Sequence, residues 1–174
     1  MAELSGKRVA VLVEEGFEDL ELWYPVLRLR EAGATVEVIG TGSAPEYRGK
    51  YGLLSRPDKT IDQVQAKDYD GLVVPGGWAP DKLRRYSAVL AFVREIFAAQ
   101  KPIGAICHAP WVLVSAGVLK GRTATSVVAI KDDVENAGAS WVDRPVVQDG
   151  NLITSRKPDD LPDFCRTLIA ALAE

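Results

Sequence analysis

The chain has very few residues of the types that usually bind metals or form disulfides. It contains 174 residues but only one histidine, His108, and two cysteines, Cys107 and Cys165. Two distant cysteines form no disulfide framework, and with a single histidine they give no zinc-ligand spacing, so we expect no metal site. A catalytic triad whose histidine lies far along the chain from its nucleophile is excluded, because there is no second histidine.

The sequence also lacks a strong charge excess and a long apolar run. Its net charge is −3, which favours neither nucleic acid nor an anionic membrane as a partner. No apolar stretch is long enough to span a bilayer, and the first residues lack a signal-peptide pattern, so we predict a cytoplasmic protein. Because 174 residues is a usual length for one domain and 47% of them are hydrophobic, we expect residues 1–174 to form a single domain.

Strand and helix patterns alternate along the whole chain. The apolar run 8–13 is typical of a strand covered on both faces, and 18–32 predicts a helix that Gly33 ends. The run 35–39 predicts a second strand, parallel to the first and reached by a right-handed crossover. Further strands are predicted at 70–74, 103–106, 122–126 and 146–155, and further helices at 88–100, 111–116, 130–137 and 161–173. This alternation predicts an α/β sandwich with a mostly parallel sheet.

Local signals add detail to this outline. Ser87 is predicted to cap the N-terminus of the helix that follows it. The segments 49–52 and 149–150 predict hairpin turns. Pro25 is expected to kink the first helix or to limit its first turns. Cys165 falls on the last predicted helix, where we expect a packing role rather than chemistry.

A short apolar run behind Pro102 predicts a strand that turns directly into a helix at Cys107. Pro110 suits the first turn of that helix. Ala105 and Ala109, two residues to either side of the cysteine, are small enough for the sharp turn of a nucleophile elbow. The N–H groups of a helix N-terminus favour a thiolate at such a turn. Most free cysteines are inert packing, but the coincidence of these features favours a nucleophile.

Two carboxylates are expected near this cysteine, because ligands bind at the carboxyl ends of the strands in open α/β sheets. Glu18 and Glu21 are three residues apart at the start of the first helix, so they face the same way. A protonated carboxyl there can donate a hydrogen bond to the sulfur. Both residues would also complement the helix dipole. The sequence leaves the two interpretations of Glu18 open, and for Glu21 it favours the functional one.

The loop after the third predicted strand carries the pair Gly76-Gly77. Its backbone N–H groups, with that of His108, can form an oxyanion hole, although a glycine pair is also typical of a plain turn. Trp78 and Trp111 either rim the pocket or only pack. The imidazole of His108 cannot easily meet both the thiol of its own elbow and a buried carboxylate. Asp81 is the leading candidate to orient His108 as a base, because it lies in the same loop as the glycine pair.

Many short segments follow one another at the spacing of a known family, from Arg8 to about Leu172. They are 17–21 (FEDLE), 24–25, 75–81 (PGGWAPD), 101–102, 106–110 (ICHAP), 115–119 (SAGVL), 130–133 (IKDD), 136–138, 149–151 and 154–156. Together they resemble the PfpI family of intracellular cysteine peptidase-like proteins, which are related to protein deglycases. The resemblance implies a three-layer, flavodoxin-like sandwich of the class I glutamine-amidotransferase-like group.

The resemblance also implies roles for individual residues. Cys107 corresponds to the nucleophile and His108 to its partner, assisted by an acid of a neighbouring subunit at the position of Asp81. Gly77 and the His108 N–H correspond to the oxyanion hole, and Glu21 to the carboxylate that touches the sulfur. The resemblance therefore implies a homodimer or a larger homo-oligomer, with the site near the subunit interface.

Two departures from the family disfavour peptidase activity: Asp81 stands in place of a glutamate, and Val127 in place of a tyrosine. The resemblance implies a stress-related cysteine hydrolase, and we expect it to need no cofactor. Its substrate would be a small carbonyl compound, as in glyoxalases and deglycases, or a peptide. The alternative is a redox-responsive stress protein whose Cys107 is oxidised to sulfenate or sulfinate without obligatory turnover. A third possibility is a binding domain in which the Cys-His pair is a relic.

Overall fold

The computed structural model describes residues 3–174. The strands are β1 (Arg8–Val13), β2 (Thr35–Gly40), β3 (Tyr47–Arg48), β4 (Leu54–Ser55), β5 (Lys59–Thr60), β6 (Gly71–Val74), β7 (Ile103–Ile106), β8 (Thr123–Ala124), β9 (Ser140–Trp141), β10 (Val146–Asp149) and β11 (Leu152–Ser155). The α-helices are α1 (Asp19–Glu31), α2 (Ala79–Leu83), α3 (Ser87–Ala98), α4 (Pro110–Ala116), α5 (Lys131–Asn136) and α6 (Leu161–Ala173). Short 3₁₀ turns occur at Ile61–Gln63, Ala66–Asp68, Val128–Ile130 and Pro158–Asp160.

Seven strands form the central sheet, in the order β10-β11-β7-β6-β1-β2-β5. Every neighbouring pair is parallel except β10 and β11. Helices α1 and α6 pack together, and α4 packs with both α3 and α2, so the sheet lies between two helical layers. The predicted α/β sandwich with a mostly parallel sheet is confirmed. Because β7, β6 and β1 are neighbours, the loops at their carboxyl ends meet at one edge of the sheet.

The first helix begins one residue later than predicted. Glu18 is its N-cap, and the carboxylate of Glu18 accepts a hydrogen bond of 2.8 Å from the backbone N–H of Glu21. Pro25 lies inside the helix. The predicted hairpin at 49–52 is present between β3 and β4, and 149–150 turns the antiparallel pair β10 and β11.

The predicted capping role of Ser87 is wrong. Tyr86 holds the extended backbone of the N-cap, with φ −96° and ψ 115°, so Ser87 is already the first residue of α3. The helix also ends before the predicted position, because Gln100 adopts a left-handed backbone with φ 59°. The predicted strand 122–126 shrinks to the two residues of β8, which pair with β9 outside the central sheet.

Cys165 is 1% exposed on the inner face of α6, as its predicted packing role requires. Burial raises the pKa of its thiol to about 12. Among residues 3–174 no helix combines the length and the apolar character that crossing a bilayer demands.

Candidate active site

Cys107 sits in a strained turn between β7 and α4. Its φ of 65° lies in the left-handed region, which only one other non-glycine residue of the described chain, Gln100, enters. The backbone N–H of Cys107 donates to the carbonyl of Ser155, and its carbonyl accepts from the N–H of Val127, both at 3.0 Å. Such a conformation costs about 1–3 kcal/mol in a non-glycine residue and persists only where its surroundings enforce it. The predicted elbow geometry is present.

The imidazole of His108 lies against the thiol of the elbow. Its Nδ1 is 3.3 Å from Cys107 Sγ, and among residues 3–174 no carboxylate of the same chain pairs with the ring. Burial, with a smaller effect of the Lys50 charge, lowers the pKa of His108. The ring is therefore neutral at pH 7 and can accept a proton from the sulfur.

Glu21 lies beneath the sulfur, entirely buried. Its Oε2 accepts a hydrogen bond of 2.8 Å from the Gly76 N–H, whereas its Oε1 has no partner within the described chain. Burial, and then the charge of Glu18, raise the pKa of Glu21 to about 8. The carboxyl therefore keeps its proton at pH 7, as the sequence hypothesis of a protonated acid requires.

The sequence predicts a thiolate at Cys107, and burial in the single chain opposes this ionisation. Burial, and then the charge of Glu21, raise the pKa of the thiol to about 12. The backbone N–H groups of Gly77 and His108 act in the opposite direction but do not outweigh the loss of water. The thiol therefore needs a base at the moment of attack, and the adjacent imidazole meets that need.

The two glycines after β6 have different functions. The N–H of Gly76 is bound by Glu21, so it cannot serve an oxyanion. A side chain there would also place its Cβ 2.4 Å from Glu21 Oε2 and 2.7 Å from the Cβ of Cys107. Gly77, with φ +75°, leaves its N–H facing the sulfur beside that of His108. The oxyanion hole expected from Gly77 and His108 is geometrically available.

Substitution of Gly77 by alanine is expected to destabilise the fold far more than the same change at Gly117. The two glycines have nearly the same φ, +75° and +73°, but a Cβ at Gly77 would lie 2.4 Å from the Glu18 nitrogen and 2.5 Å from the Gly16 carbonyl oxygen, whereas Gly117 has open space. Gly117→Ala should cost about 1 kcal/mol for its backbone conformation, and Gly77→Ala about 3 kcal/mol or more. Urea denaturation of both variants measures the difference, and equal losses would contradict it.

A cavity of about 110 Å³ opens beside the sulfur. Its lining consists of Glu18, Glu21, Lys50, Tyr51, Gly77, Trp78, Cys107, His108 and Pro158. Of the predicted pocket residues, Gly76 and Trp111 lie outside this lining. Lys50 and Tyr51 were missed by the sequence analysis, because they come from the turn between β3 and β4. The carboxylate of Asp19 holds that turn in place by accepting the N–H groups of Tyr51 and Leu53, both at 2.8 Å.

Asp81 does not reach the imidazole of its own chain. It lies on α2, where its half-exposed carboxylate pairs with Arg85. The rings of Trp78 and Trp111 flank His108, with centroids 6.0 Å and 5.2 Å from the imidazole. Within the described residues no cluster of histidine, cysteine, aspartate or glutamate is suited to hold a metal ion.

Known proteins with similar sequences match this chain over nearly its whole length. A model of the DJ-1/PfpI family matches residues 7–171. An uncharacterised protein of Archaeoglobus fulgidus is 51% identical over 166 residues, which are 95% of this chain and 98% of that protein. Two proteins named as deglycases, TK1284 of Thermococcus kodakarensis and PfpI of Pyrococcus furiosus, are 44% and 42% identical over 165 residues, covering 95% of this chain and 99% of each of them.

Solved structures with the same fold include two with substantial sequence identity. A two-domain protein of Anabaena variabilis, with DJ-1/ThiJ/PfpI-like and ferritin-like domains, is 42% identical with a TM-score of 0.93; the match covers 95% of this chain and 48% of that one. DJ-1beta of Drosophila melanogaster is 34% identical with a TM-score of 0.90, over 96% of this chain and 90% of that one.

Proposed function

Because the chain belongs to the DJ-1/PfpI family, we propose that it is a cysteine-dependent hydrolase of small carbonyl compounds, of the glyoxalase or deglycase kind. The observation that carries the proposal is the contact between Cys107 Sγ and His108 Nδ1, 3.3 Å apart at the wall of a small cavity. Relatives named as deglycases at 42–44% identity support the same class of reaction. The fold alone would not, since one fold hosts many functions.

The proposed reaction with methylglyoxal needs no external oxidant. His108 takes the thiol proton as the sulfur bonds to the aldehyde carbon, which gives a hemithioacetal. The N–H groups of Gly77 and His108 stabilise the negative charge on its oxygen. A proton then moves from the former aldehyde carbon to the neighbouring carbonyl carbon, so the first carbon is oxidised to a thioester and the second is reduced to an alcohol. Water cleaves the thioester, releasing lactate and the free Cys107 thiol.

The size of the cavity favours a small substrate over a peptide. The cavity volume is about 110 Å³. A three-carbon dicarbonyl compound suits so small a space better than a peptide that continues on both sides of its scissile bond. A carbonyl adduct on a protein amine would have to present only its small end to the sulfur.

We also propose that the complete site requires a second copy of the chain. Asp81 pairs with Arg85 at the surface and meets no imidazole of its own chain, so an acid at this position can act on His108 only across a subunit interface. Large apolar side chains are exposed on α1, on the β3–β4 hairpin and before α2, and two of them, Tyr51 and Trp78, line the pocket: Leu20, Tyr51, Leu53, Leu54 and Trp78. Exposed apolar surface of this kind is typical of an interface, and sedimentation analysis of the purified protein tests the assembly.

A second candidate function is peroxide sensing, which the protonated Glu21 beside the sulfur favours. In that reaction the sulfur attacks a peroxide oxygen, the O–O bond breaks and water leaves, giving sulfenate and, after a second peroxide, sulfinate. The carboxyl proton of Glu21 would stabilise the product oxygens. Intact-mass measurement after mild peroxide treatment distinguishes this function: a gain of two oxygens confined to Cys107 supports it, and equal oxidation of Cys165 contradicts it.

The proposed hydrolase function is tested by alkylation and turnover in one sample. The protein is treated with iodoacetamide in small steps, and each step is assayed for lactate formed from methylglyoxal by NMR and for label at Cys107 by mass spectrometry. We expect activity to fall in proportion to the label. A fully labelled protein that still forms lactate would overturn the proposal. A parallel assay with a fluorogenic peptide should give much slower turnover.

A further inference from the structure

Hydrogen bonds within one chain do not explain the orientation of the catalytic base, His108. The imidazole of His108 makes one side-chain contact of that type, with Cys107 Sγ. In nucleophile–base pairs a third group usually orients the base, yet within residues 3–174 no carboxylate pairs with this ring. The Asp81 carboxylate of a second copy, as proposed above, would act only in the assembled protein. Within one chain, some other contact must therefore limit the rotation of the imidazole.

Two indole rings pack on the imidazole, and they differ in how firmly they are held. Trp78 is 55% exposed, and besides the imidazole it contacts the Lys50 ammonium, 5.1 Å from the ring centroid. Trp111 is closer to His108, at 5.2 Å between centroids with a tilt of 57°. The indole N–H of Trp111 donates to Asp133 Oδ2 at 2.8 Å. Trp111 is therefore the ring that has a defined position.

Trp111 also has a cationic neighbour. The guanidinium of Arg84 lies 5.4 Å from its ring centroid, a cation–π contact. Arg84 is in turn fixed by a hydrogen bond of 2.8 Å from its Nε to Ser115 Oγ. The indole is thus held by a hydrogen bond to α5, by the guanidinium of Arg84 and by packing against the core, and it also contacts the imidazole.

We propose that Trp111, anchored by Asp133, is the positioning residue that holds the His108 imidazole against the Cys107 thiol. The inference rests on the proposed function, in which His108 is the base. Trp111 does not line the cavity, so its effect is on the base and not on substrate binding. A displacement of about 1 Å in a catalytic group can cost about 100-fold in rate, which makes a packing contact of this kind kinetically visible.

The kinetic test uses variants at both ends of the Trp111–Asp133 hydrogen bond. Trp111→Leu is expected to lower kcat for methylglyoxal about 10-fold or more and to leave KM within about 2-fold. Asp133→Ala should lower kcat about 3-fold, and Asp133→Asn, which keeps an acceptor oxygen, should restore it. Asp132→Ala is the matched control, since Asp132 is exposed on the same helix and is expected to leave kcat unchanged. Equal losses in Asp132→Ala and Asp133→Ala would overturn the proposal.

A second readout does not depend on turnover. His108 is the only histidine of the chain, so its Cε1–H gives the only histidine signal in an NMR titration. The groups facing the ring that influence its titration are the Cys107 thiol and the Lys50 ammonium. Loss of the indole exposes the ring, so the titration midpoint in Trp111→Leu should rise toward the ordinary value of about 6.5. A midpoint and a line width identical to the wild type would overturn the positioning role, even if the protein proves to have no hydrolase activity.

Discussion

Replacement of Cys107 by alanine is expected to reduce methylglyoxal turnover at least about 10³-fold. The sulfur forms the covalent bond on which every later step depends, and removal of a nucleophile usually leaves only the residual rate that binding and the oxyanion hole provide. The fold should survive, because alanine keeps the Cβ, and the hydrogen bonds that hold the elbow come from the backbone. Lactate formation at saturating substrate, together with circular dichroism of the variant, measures both expectations.

Cys165→Ala is the matched control for this experiment. Both thiols are free and both have a raised pKa, but Cys165 is buried in α6, far from the cavity lining. We expect its removal to leave turnover per folded molecule unchanged. Substantial lactate formation by Cys107→Ala would refute the covalent mechanism, and loss of turnover in both variants would show that the effect is structural.

Glu21→Gln is expected to remove a large pH dependence of stability. The pKa of Glu21 is raised to about 8 in the folded state, against about 4.3 in an unfolded chain. Between these values the folded state holds a proton that the unfolded state has lost, so the free energy of unfolding falls as the pH rises, by about 1.4 kcal/mol per pH unit. Relative to Glu21→Gln, the wild type should therefore lose on the order of 2 kcal/mol between about pH 5.5 and 7.5.

Urea denaturation of wild type and variant at several pH values measures this difference in stability. The contributions of most other titrating groups are the same in both proteins and cancel. Glu31→Gln is a suitable control, because Glu31 is largely exposed at the end of the same helix and pairs only with Arg28. Parallel stability curves for wild type and Glu21→Gln would show that the buried carboxyl does not hold its proton. Since the charge of Glu21 also raises the thiol pKa, alkylation of Cys107 should begin at lower pH in the variant.

The strands and the longer helices could be predicted because their signals lie within a few residues of sequence. The runs 8–13 and 35–39 coincide with β1 and β2 almost residue for residue, since strands buried on both faces are continuously apolar. The prediction of Ser87 as an N-cap was wrong because capping depends on which residue adopts an extended backbone. At the start of α3 that residue is Tyr86. The predicted length of strand 122–126 was wrong because its hydrogen bonds depend on a distant segment, β9, which pairs with only two of these residues.

The central residues of the candidate site were predictable, but their electrostatics were not. Cys107, Glu21 and Gly77 were identified from the order of strands and loops, and the parallel sheet does bring them together. The helix terminus that favours a thiolate is visible in the sequence, whereas the depth of burial, which raises the pKa of the thiol, is not. Lys50 reaches the cavity only because Asp19, more than 30 residues earlier, fixes the turn that carries it.

The two edge strands of the central sheet, β5 and β10, restrict how the molecule can aggregate. One margin is β5, only two residues long, where Lys59 pairs with Glu37 at 3.0 Å. The other is β10, beside which β8 packs, with Asp149 accepting the N–H of Thr123 at 2.7 Å. Short, charged or covered margins are poor templates for an incoming strand. Concentrated solutions of the folded protein should therefore resist growth into cross-β fibrils, and copies of the chain are left to meet through their helices and loops.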